Sequence, residues 1–344
     1  MTSKRAIVTG GAGFIGSHLV EHLLQNGHEV MVLDNFTTGK YENLRRVKDF
    51  PKLSIQKADI TAYEKIKPYF DGAQWVFHLA ALADVVPSIV EPIKYHHANV
   101  DGTIAVLEAS RAAKIEKLIY AASSSCYGIP DVYPTPESAP LRPMYPYALT
   151  KYLGEQYVLR WHTIYKLPSV SLRLFNVYGP RARSAGTYGA VFGVFLKQKI
   201  AEEPFTVVGD GTQTRDFTFV SDVVDAFAKA AQTDGIEGEI FNVGSGNSYS
   251  INHLVELLGG KVVCIPKRPG EPDRTFADTT KITKKIGWTP RVSFEDGVKE
   301  MLRHIDDWQD APLWDPVKIA DATKEWFAYL TPLNSTLRRG EEGG

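Results

Sequence analysis

The 344-residue sequence has little cysteine, no excess of either charge and no long apolar run, and each absence excludes a class of protein. Cys126 and Cys264 are too few for a disulfide framework or a cysteine-based metal site, so a reducing cytoplasm is the simplest setting. With 39 Lys and Arg against 40 Asp and Glu, the whole chain gives no electrostatic reason to bind nucleic acid or an anionic membrane. It has no apolar run of about 18 residues and no signal-peptide pattern at its start. We therefore expect a soluble cytoplasmic protein with no metal, nucleic-acid or membrane partner.

Six short apolar runs alternate with helix-length segments in the first half of the chain. The runs lie at 6–10, 29–34, 53–59, 75–81, 117–123 and 169–175. This alternation indicates βαβ units, and therefore an α/β fold with a parallel sheet covered by helices on both faces. After residue 176 the sequence changes to Gly- and Pro-rich loops with shorter elements, with helices expected near 221–233, 250–258 and 293–308.

These patterns predict three parts. Residues 1–176 form a dinucleotide-binding domain, and a later segment at about 217–247 returns to it. Residues 177–308 form mainly a smaller domain over the carboxyl edge of the sheet, where open α/β sheets bind their ligands. Residues 309–344 form a C-terminal extension whose charged, Gly-rich end is expected to be disordered.

A glycine-rich turn joins the first predicted strand to the first predicted helix. The segment TGGAGFIG fits G-x-G-x-x-G with Gly11, Gly13 and Gly16, or a wider spacing that starts at Gly10. Glycines here allow a tight turn and the close approach of a pyrophosphate to the N–H groups of the helix. Asp34, at the end of the second strand, suits the ribose hydroxyls of NAD and repels the 2′-phosphate of NADP. The glycines alone would also suit a plain turn, but the whole order of elements favours a dinucleotide site.

The segment YPYALTK contains two tyrosines ahead of one lysine. Pro146 suits the first position of a helix, which puts Tyr147 and Lys151 four residues apart on one helix face and Tyr145 before the helix. An ammonium group beside a phenol lowers the pKa of the phenol from about 10, as a general acid or base near neutral pH requires. A lysine that lies beside a tyrosine on a solvent-exposed helix face, with no catalytic role, would show the same spacing. The polar cluster SSSCYG (123–128), expected at the same sheet edge, favours catalysis by Tyr147.

Together these motifs resemble the extended short-chain dehydrogenase/reductase family. Its pattern is matched in order by TGGAGFIG, HLAA after the fourth strand, NVDGT, SSSCYG, YALTK and RLFNVYGP. The best match is to the nucleotide-sugar 4-epimerases, the group that contains UDP-galactose and UDP-N-acetylhexosamine 4-epimerases, and it runs from about residue 4 to about residue 305. The resemblance implies a Rossmann-type doubly wound parallel sheet with a smaller α/β substrate-binding domain, a tightly held NAD, a nucleotide-sugar substrate and a homodimer.

The resemblance also implies roles for individual residues. The positions that match catalytic residues are Ser123, Tyr147 and Lys151. The positions that match cofactor contacts are Gly10, Gly13, Phe14, Ile15, Gly16, Asp34, Asn35, Asp59, Ile60, Leu79, Ala80, Ala81 and Asn99, together with Tyr147 and Lys151. The positions that match substrate contacts are Ser123, Asn176, Arg215, Arg268, Glu271 and Thr275. The planar guanidinium fork of arginine suits the oxygens of a diphosphate.

The implied reaction is epimerisation at C4 of a nucleotide-activated hexose for polysaccharide or glycan biosynthesis. Tyr147 as a phenolate takes the proton of the 4-hydroxyl with the help of Ser123, and Lys151 lowers the pKa of Tyr147. The transient 4-ketose turns over in the cleft, and NAD is a bound catalyst with no net redox change.

The residues after Ser123 separate the epimerases from sister enzymes. The 4,6-dehydratases carry an Asp-Glu pair there, and the decarboxylases usually a glutamate, whereas this chain has Ser124 and Ser125. The absence of an acid favours epimerisation. A dehydratase or decarboxylase, a reductase that releases its cofactor, and a non-catalytic NAD-binding regulator are the alternatives.

Three further positions bear on the sugar. Thr275 stands where some epimerases have a bulky tyrosine, so we expect UDP-GlcNAc or UDP-GalNAc as substrate, with UDP-glucose or UDP-galactose also accepted. Asp84 and Pro87 replace a serine and an arginine that are common in the family. Because of these replacements, an unusual hexose or a uronate remains an alternative substrate.

Overall fold

A seven-stranded parallel sheet organises the fold in a computed structural model that describes residues 2–182 and 190–331. The strands of this sheet and of three small two-stranded sheets are β1 (Arg5–Thr9), β2 (Glu29–Asp34), β3 (Leu53–Lys57), β4 (Trp75–His78), β5 (Lys117–Ser123), β6 (Ser169–Leu174), β7 (Val177–Tyr178), β8 (Phe205–Val208), β9 (Thr214–Arg215), β10 (Thr218–Phe219), β11 (Ile240–Val243), β12 (Tyr249–Ser250) and β13 (Val262–Ile265).

The helices of the described residues alternate with these strands. They are α1 (Phe14–Gln25), α2 (Tyr63–Ile66), α3 (Val85–Val90), α4 (Pro92–His96), α5 (Gly102–Ala113), α6 (Pro146–Tyr165), α7 (Val191–Ile200), α8 (Val220–Gln232), α9 (Ile251–Leu258), α10 (Thr280–Ile286), α11 (Phe294–Arg303), α12 (Pro316–Ala322) and α13 (Lys324–Leu330). Short 3-10 and π turns join several of them. Among residues 2–182 and 190–331, no helix combines the length and apolarity needed to cross a membrane.

The order of the large sheet confirms the predicted doubly wound fold. Its strands lie in the order β11–β6–β5–β4–β1–β2–β3, and every neighbouring pair is parallel. The chain therefore leaves β1 toward one edge and later restarts at β4 toward the other, so the sheet order reverses between β1 and β4. Such a switch point opens a crevice at the carboxyl ends of the strands. A seventh strand, β11, which lies outside the six predicted runs, extends the sheet beside β6.

Helices cover both faces of the sheet, and each face has its own apolar core. One core contains the inward stripe of α1 (Leu19, Val20, Leu23 and Leu24) packed against α8. The other core contains residues of α5 and Val158 of α6. The spacing of the apolar residues in α1 puts them on one face, and Gly27, with a φ of 82°, follows the end of the helix.

The second half of the chain builds a separate core from short elements. Helices α7, α9 and α11 pack around β8 and β13, with Trp308 fully buried at the centre. The helices predicted near 221–233, 250–258 and 293–308 correspond to α8, α9 and α11 with the 3-10 turn Ile305–Trp308. The predicted disorder at the end of the chain concerns residues 332–344, which lie outside the described residues.

Candidate active site

A cavity of about 1290 Å³ lies along the carboxyl ends of the sheet strands. Residues at or directly after the ends of β1, β2, β4 and β5, for example Gly10, Asp34, Leu79 and Ser123, line one end of it. The cavity is larger than a usual small-ligand pocket of about 300–1000 Å³, so it has room for two ligands side by side. Most of the residues that the sequence predicts for binding or catalysis meet here.

The glycine turn between β1 and α1 is closely packed within the chain itself. Gly10 has a φ of +71°, and a Cβ atom on Gly16 would lie 2.2 Å from the carbonyl oxygen of Gly10. The backbone N–H of Gly13 donates to the same oxygen at 3.0 Å. No side chain caps the start of α1, and Gly13, Phe14 and Ile15 line the cavity. The uncapped helix N-terminus is therefore open to an anion such as a pyrophosphate.

Asp34 joins the glycine turn to the end of β2. Its carboxylate accepts hydrogen bonds from the backbone N–H of Ala12 at 3.0 Å and of Phe36 at 2.8 Å. Burial raises the pKa of Asp34, while the two N–H donors act in the opposite direction. A carboxylate has about four acceptor sites, so Asp34 keeps capacity for the two hydroxyls of a ribose.

Of the residues predicted to contact a cofactor, Asp59 and Asn99 do not line the cavity. Asp59 accepts hydrogen bonds from the backbone and hydroxyl of Thr61, at 2.9 and 2.8 Å. The amide of Asn99 bonds both backbone groups of Leu82, at 2.8 and 2.9 Å, and the hydroxyl of Thr150 at 3.0 Å. Asn99 thus fixes the cavity wall to the helix that carries Tyr147 without facing the cavity.

The start of α6 brings the proposed acid/base pair to the sheet edge. The helix begins at Pro146 and Tyr145 is extended before it, as the sequence predicts. Ser123 lies close enough to the hydroxyl of Tyr147 to act on its pKa, and its Oγ lies 2.8 Å from Oγ of Ser125. Two elements that are distant in sequence, the end of β5 and the start of α6, therefore bring their hydroxyl groups together.

Burial raises the pKa of Tyr147, and the hydrogen bond with Ser123 acts in the opposite direction. This direction is contrary to the prediction that Lys151 lowers the pKa of Tyr147. Lys151 is itself buried, with its ammonium 4.3 Å from the ring centre of Tyr120. Burial lowers the pKa of Lys151 from 10.5 to about 7, although the nearby carboxylate of Glu155 acts to raise it.

A buried ion pair lies beneath Lys151. Glu155 Oε1 is 2.6 Å from Nη2 of Arg173, and Oε2 accepts from the hydroxyl of Ser171 at 2.9 Å. No motif in the sequence predicts this pair. Because Glu155 follows Lys151 by four residues on α6, the spacing was a signal that could have suggested a carboxylate near the lysine.

The predicted diphosphate-binding residues meet at the opposite end of the cavity. Glu271 Oε1 lies 2.8 Å from Nη2 of Arg215, and its Oε2 lies 3.6 Å from Nη1 of Arg268. One carboxylate therefore holds both guanidinium groups at the cavity wall. Two cations that share one anion can accept further negative charge, as a diphosphate would supply.

Asn176 and Thr275 form a second contact at this end. The hydroxyl of Thr275 donates to Oδ1 of Asn176 at 2.7 Å and accepts from the backbone N–H of Asp216 at 2.9 Å. The carboxylate of Asp216, which the sequence analysis missed, accepts from the backbone N–H groups of Ser245 and Ala277. Burial raises the pKa of Asp216 to about 6. Asp216 thus ties together the loops that carry Arg215 and Thr275.

Several cavity residues were not predicted to bind. Asp84 lines the cavity, whereas Pro87 does not, and the charge of Asp84 contributes to the raised pKa of Tyr147. Tyr145 lines the wall, with its ring stacked 6.5 Å from that of Tyr147. Trp326 of the C-terminal extension also reaches the cavity, and no motif signalled it. Among residues 2–182 and 190–331, no group of three or more potential metal ligands is arranged to hold an ion.

Comparison with known proteins agrees with this geometry. The sequence model of the family described as GDP-mannose 4,6 dehydratase matches residues 7–301. A putative UDP-glucose 4-epimerase of Methanocaldococcus jannaschii is 36% identical over 86% of this chain and 96% of its own length. A UDP-glucose 4-epimerase of Mycolicibacterium smegmatis is 38% identical over 87% of this chain and 97% of its own length. A UDP-N-acetyl-alpha-D-glucosaminuronate decarboxylase of Bacillus cytotoxicus, at 35% identity over 87% of this chain and 97% of its own length, is also a relative.

Solved structures show the same relationship. A UDP-N-acetylglucosamine 4-epimerase of Methanobrevibacter ruminantium, in complex with UDP-N-acetylmuramic acid, superposes with a TM-score of 0.84 at 34% identity and covers 89% of this chain and 99% of its own. A Thermus thermophilus UDP-glucose 4-epimerase in complex with NAD gives a TM-score of 0.79 at 34% identity, covering 88% and 99%. The chain therefore belongs to the extended short-chain dehydrogenase/reductase family, among relatives that include nucleotide-sugar 4-epimerases.

Proposed function

We propose that the protein is an NAD-dependent 4-epimerase of a nucleotide-activated hexose. The observation that carries this proposal is the meeting of Tyr147 and Ser123 in a cavity whose wall also contains an open helix N-terminus and two arginines. A binding regulator needs no acid/base group between two such anion sites, and a reductase needs an exchangeable cofactor, whereas an epimerase should purify with its NAD bound.

The residues of the sheet end fit NAD. The glycine turn leaves no room for side chains, and the N-terminus of α1 is uncapped, so Gly13, Phe14 and Ile15 would hold the pyrophosphate. Asp34 would bind the adenosine ribose, and Lys151 the nicotinamide ribose. The solved relative from Thermus thermophilus binds NAD. When bound, NAD supplies a hydride acceptor and donor at C4 of the sugar, and the protein supplies the proton transfer.

The hydroxyl groups at the end of β5 move the proton. Tyr147 takes the proton of the sugar 4-hydroxyl, and Ser123, which lies beside the phenol, bridges the two oxygens. Because burial raises the pKa of Tyr147, the phenolate needs a cation, and the ammonium of Lys151, four residues further along the same helix face, is the candidate. The proton then returns from Tyr147 to the 4-oxygen after the ketose has turned within the cavity.

The loops of the second half bind the diphosphate and select the sugar. Arg215, Arg268 and Asn176 would contact the phosphate oxygens. Thr275, a short side chain beside Asn176, leaves space for an N-acetyl group, which supports UDP-GlcNAc and UDP-GalNAc, with UDP-glucose and UDP-galactose also accepted. The negative charge of Asp84 near Tyr147 disfavours a uronate, whose carboxylate it would repel.

The remaining expectations also stand as proposals. The domain bounds at 176 and 308 and a cytoplasmic location follow from the sequence alone. A homodimer through α5 and α6 is supported by three apolar side chains that α6 leaves exposed, Leu149, Ile164 and Tyr165. Sedimentation of the purified protein tests the dimer.

One experiment tests the proposed reaction. The protein is purified without added cofactor, any released dinucleotide is identified, and UDP-GlcNAc, UDP-glucose and UDP-glucuronate are followed separately by proton NMR. We expect bound NAD and a C4 epimer from UDP-GlcNAc. A 4-keto-6-deoxy sugar would indicate a dehydratase, and a pentose with carbon dioxide a decarboxylase; either product would contradict the proposal.

A further inference from the structure

The helices α12 and α13 lie beyond the part of the chain that resembles the family. The family match ends at residue 301, and relatives that are covered over 96% and 97% of their own length cover only 86% and 87% of this chain. The described extension therefore adds to the shared fold. Nothing in the proposed reaction explains what it does.

The extension is anchored firmly to the second core. Ala311 and Ile319 are buried there, and the side-chain amide of Gln198 donates to the backbone oxygen of Trp314 at 2.7 Å. Asp315 caps α12 by accepting from the backbone N–H of Lys318 at 2.8 Å. These contacts give α13 a fixed starting point from which it reaches the cavity.

Trp326 of α13 makes its contacts with the cavity wall. Its indole N–H donates to the backbone oxygen of Pro269 at 2.7 Å, and its ring centre lies 6.2 Å from that of Tyr145. The guanidinium of Arg268 lies 5.7 Å from the ring centre. Trp326 is only 5% exposed, yet it does not belong to the apolar cores found in residues 2–182 and 190–331. The buried ring of Trp326 is therefore part of the cavity wall.

Trp326 also links two sides of the cavity. Its helix α13 packs against α3, which directly follows Asp84. On the other side it holds the loop 266–275, which has no regular structure around Gly270, a residue with a φ of +72°. A loop of this kind samples many conformations unless outside contacts fix it.

We infer that Trp326 is a positioning residue that holds loop 266–275 against the start of α6, so that Arg268 is preset to bind the diphosphate of the substrate. The inference rests on the proposed function, because it takes Arg268 as a diphosphate ligand. An indole ring beside a guanidinium restrains the cation through its π face, and the bond to Pro269 fixes the backbone next to it. Ordering these groups before binding lowers the entropic cost of binding.

The test compares Trp326→Ala, Trp326→Phe and the control Tyr329→Ala, which changes a side chain that is 69% exposed on the same helix. UDP binding is measured by calorimetry, and amide hydrogen exchange is followed by mass spectrometry. For Trp326→Ala we expect about tenfold weaker UDP binding and faster exchange confined to 266–275. Trp326→Phe, which keeps a ring but lacks the N–H, should fall between it and the wild type, and Tyr329→Ala should match the wild type.

Two results would overturn the inference. One is unchanged UDP affinity in Trp326→Ala, and the other is faster exchange spread evenly over the protein, which would show a general loss of stability. Kinetics separate this inference from the proposed function. A wild-type protein that binds UDP but does not epimerise any UDP-sugar contradicts the proposed function only. An active wild-type enzyme with an unchanged KM in Trp326→Ala contradicts the positioning role only.

Discussion

The two ends of the cavity are held in different ways. At the sheet end, Gly16, Ser123 and Lys151 are placed by the backbone of α1, β5 and α6, and the parallel sheet fixes the register of β5. At the loop end, Arg215 and Arg268 come from a two-residue strand and a loop, and the carboxylate of Glu271 pairs with both. Substitutions at the sheet end should therefore cause large losses of activity or stability, whereas substitutions at the loop end should cause smaller losses. Four predictions test this difference, from the largest expected effect to the smallest.

Replacing Tyr147 with Phe should have the largest effect. The change removes the hydroxyl beside Ser123 but keeps the ring, so the fold and the amount of bound NAD should stay the same. The loss of the acid/base group should lower kcat about 10³-fold. Turnover of UDP-GlcNAc is measured by NMR. The matched control is Tyr145→Phe, which removes a hydroxyl from the neighbouring stacked ring and should cost less than about fivefold. Equal losses in the two variants would show that Tyr147 has no special role.

Replacing Gly16 with Ala should damage the glycine turn itself. The added Cβ would lie 2.2 Å from the backbone oxygen of Gly10, which cannot move aside, so we expect a loss of about 3 kcal/mol in the free energy of unfolding. Gly13→Ala is the control, because its Cβ would lie 3.1 Å from the same oxygen and otherwise meet open space.

Both variants are measured by chemical unfolding and by the NAD bound per protomer. Gly16→Ala should lose stability and cofactor together, whereas Gly13→Ala should keep most of its stability and bind less NAD. If Gly16→Ala were as stable as the wild type, the internal packing of the turn would not be what requires glycine there.

The sheet end is also the part that the sequence predicts well. Alternating apolar runs specify strands, and the glycines, Asp34 and Pro146 act on the backbone close to themselves. Local patterns of this kind can be read from one sequence because each depends on neighbours along the chain. The start of α6 at Pro146 and the parallel sheet were both predicted correctly, whereas the edge strand β11 was not among the predicted runs.

The loop end and the electrostatics were harder to predict. The contacts of Trp326 with Pro269 and of Asp216 with Ser245 join residues that are distant along the chain, and neither residue type suggests its partner. The pKa of Tyr147 was predicted in the wrong direction, because the spacing to Lys151 gives the charge of a neighbour but not the degree of burial. Burial depends on the complete fold.

The charge of Lys151 should make stability depend on pH. Its pKa is about 7 in the folded protein and 10.5 when exposed, so between these values the unfolded chain binds more protons and stability rises with pH. Each pKa unit corresponds to about 1.36 kcal/mol, which gives roughly 2.7 kcal/mol between pH 7.5 and pH 9.5. The cost of burying Lys151 therefore grows, and the protein loses stability, as the pH falls from 10.5 to 7.

The measurement is the free energy of unfolding of cofactor-free protein at several pH values, for the wild type and for Lys151→Met. The variant removes the titrating group but keeps an unbranched side chain, so other titrations cancel in the difference. We expect the difference between the two proteins to shift in favour of the wild type as the pH rises. A constant difference would mean that burial does not perturb Lys151.

The smallest effect is expected at Asp84, a cavity residue directly before α3 whose negative charge affects which sugar is accepted. Two like charges a few ångströms apart repel by about 1–4 kcal/mol, so Asp84→Asn should raise kcat/KM for UDP-glucuronate relative to UDP-GlcNAc about fivefold to tenfold. The change also removes a charge that raises the pKa of Tyr147, so the acidic limb of the pH profile should move to lower pH. The control Glu91→Gln removes an exposed carboxylate that pairs with Lys94 outside the cavity, and it should leave the ratio unchanged. A wild-type enzyme that prefers UDP-glucuronate, or a ratio that Asp84→Asn does not alter, would show that contacts other than this charge select the sugar.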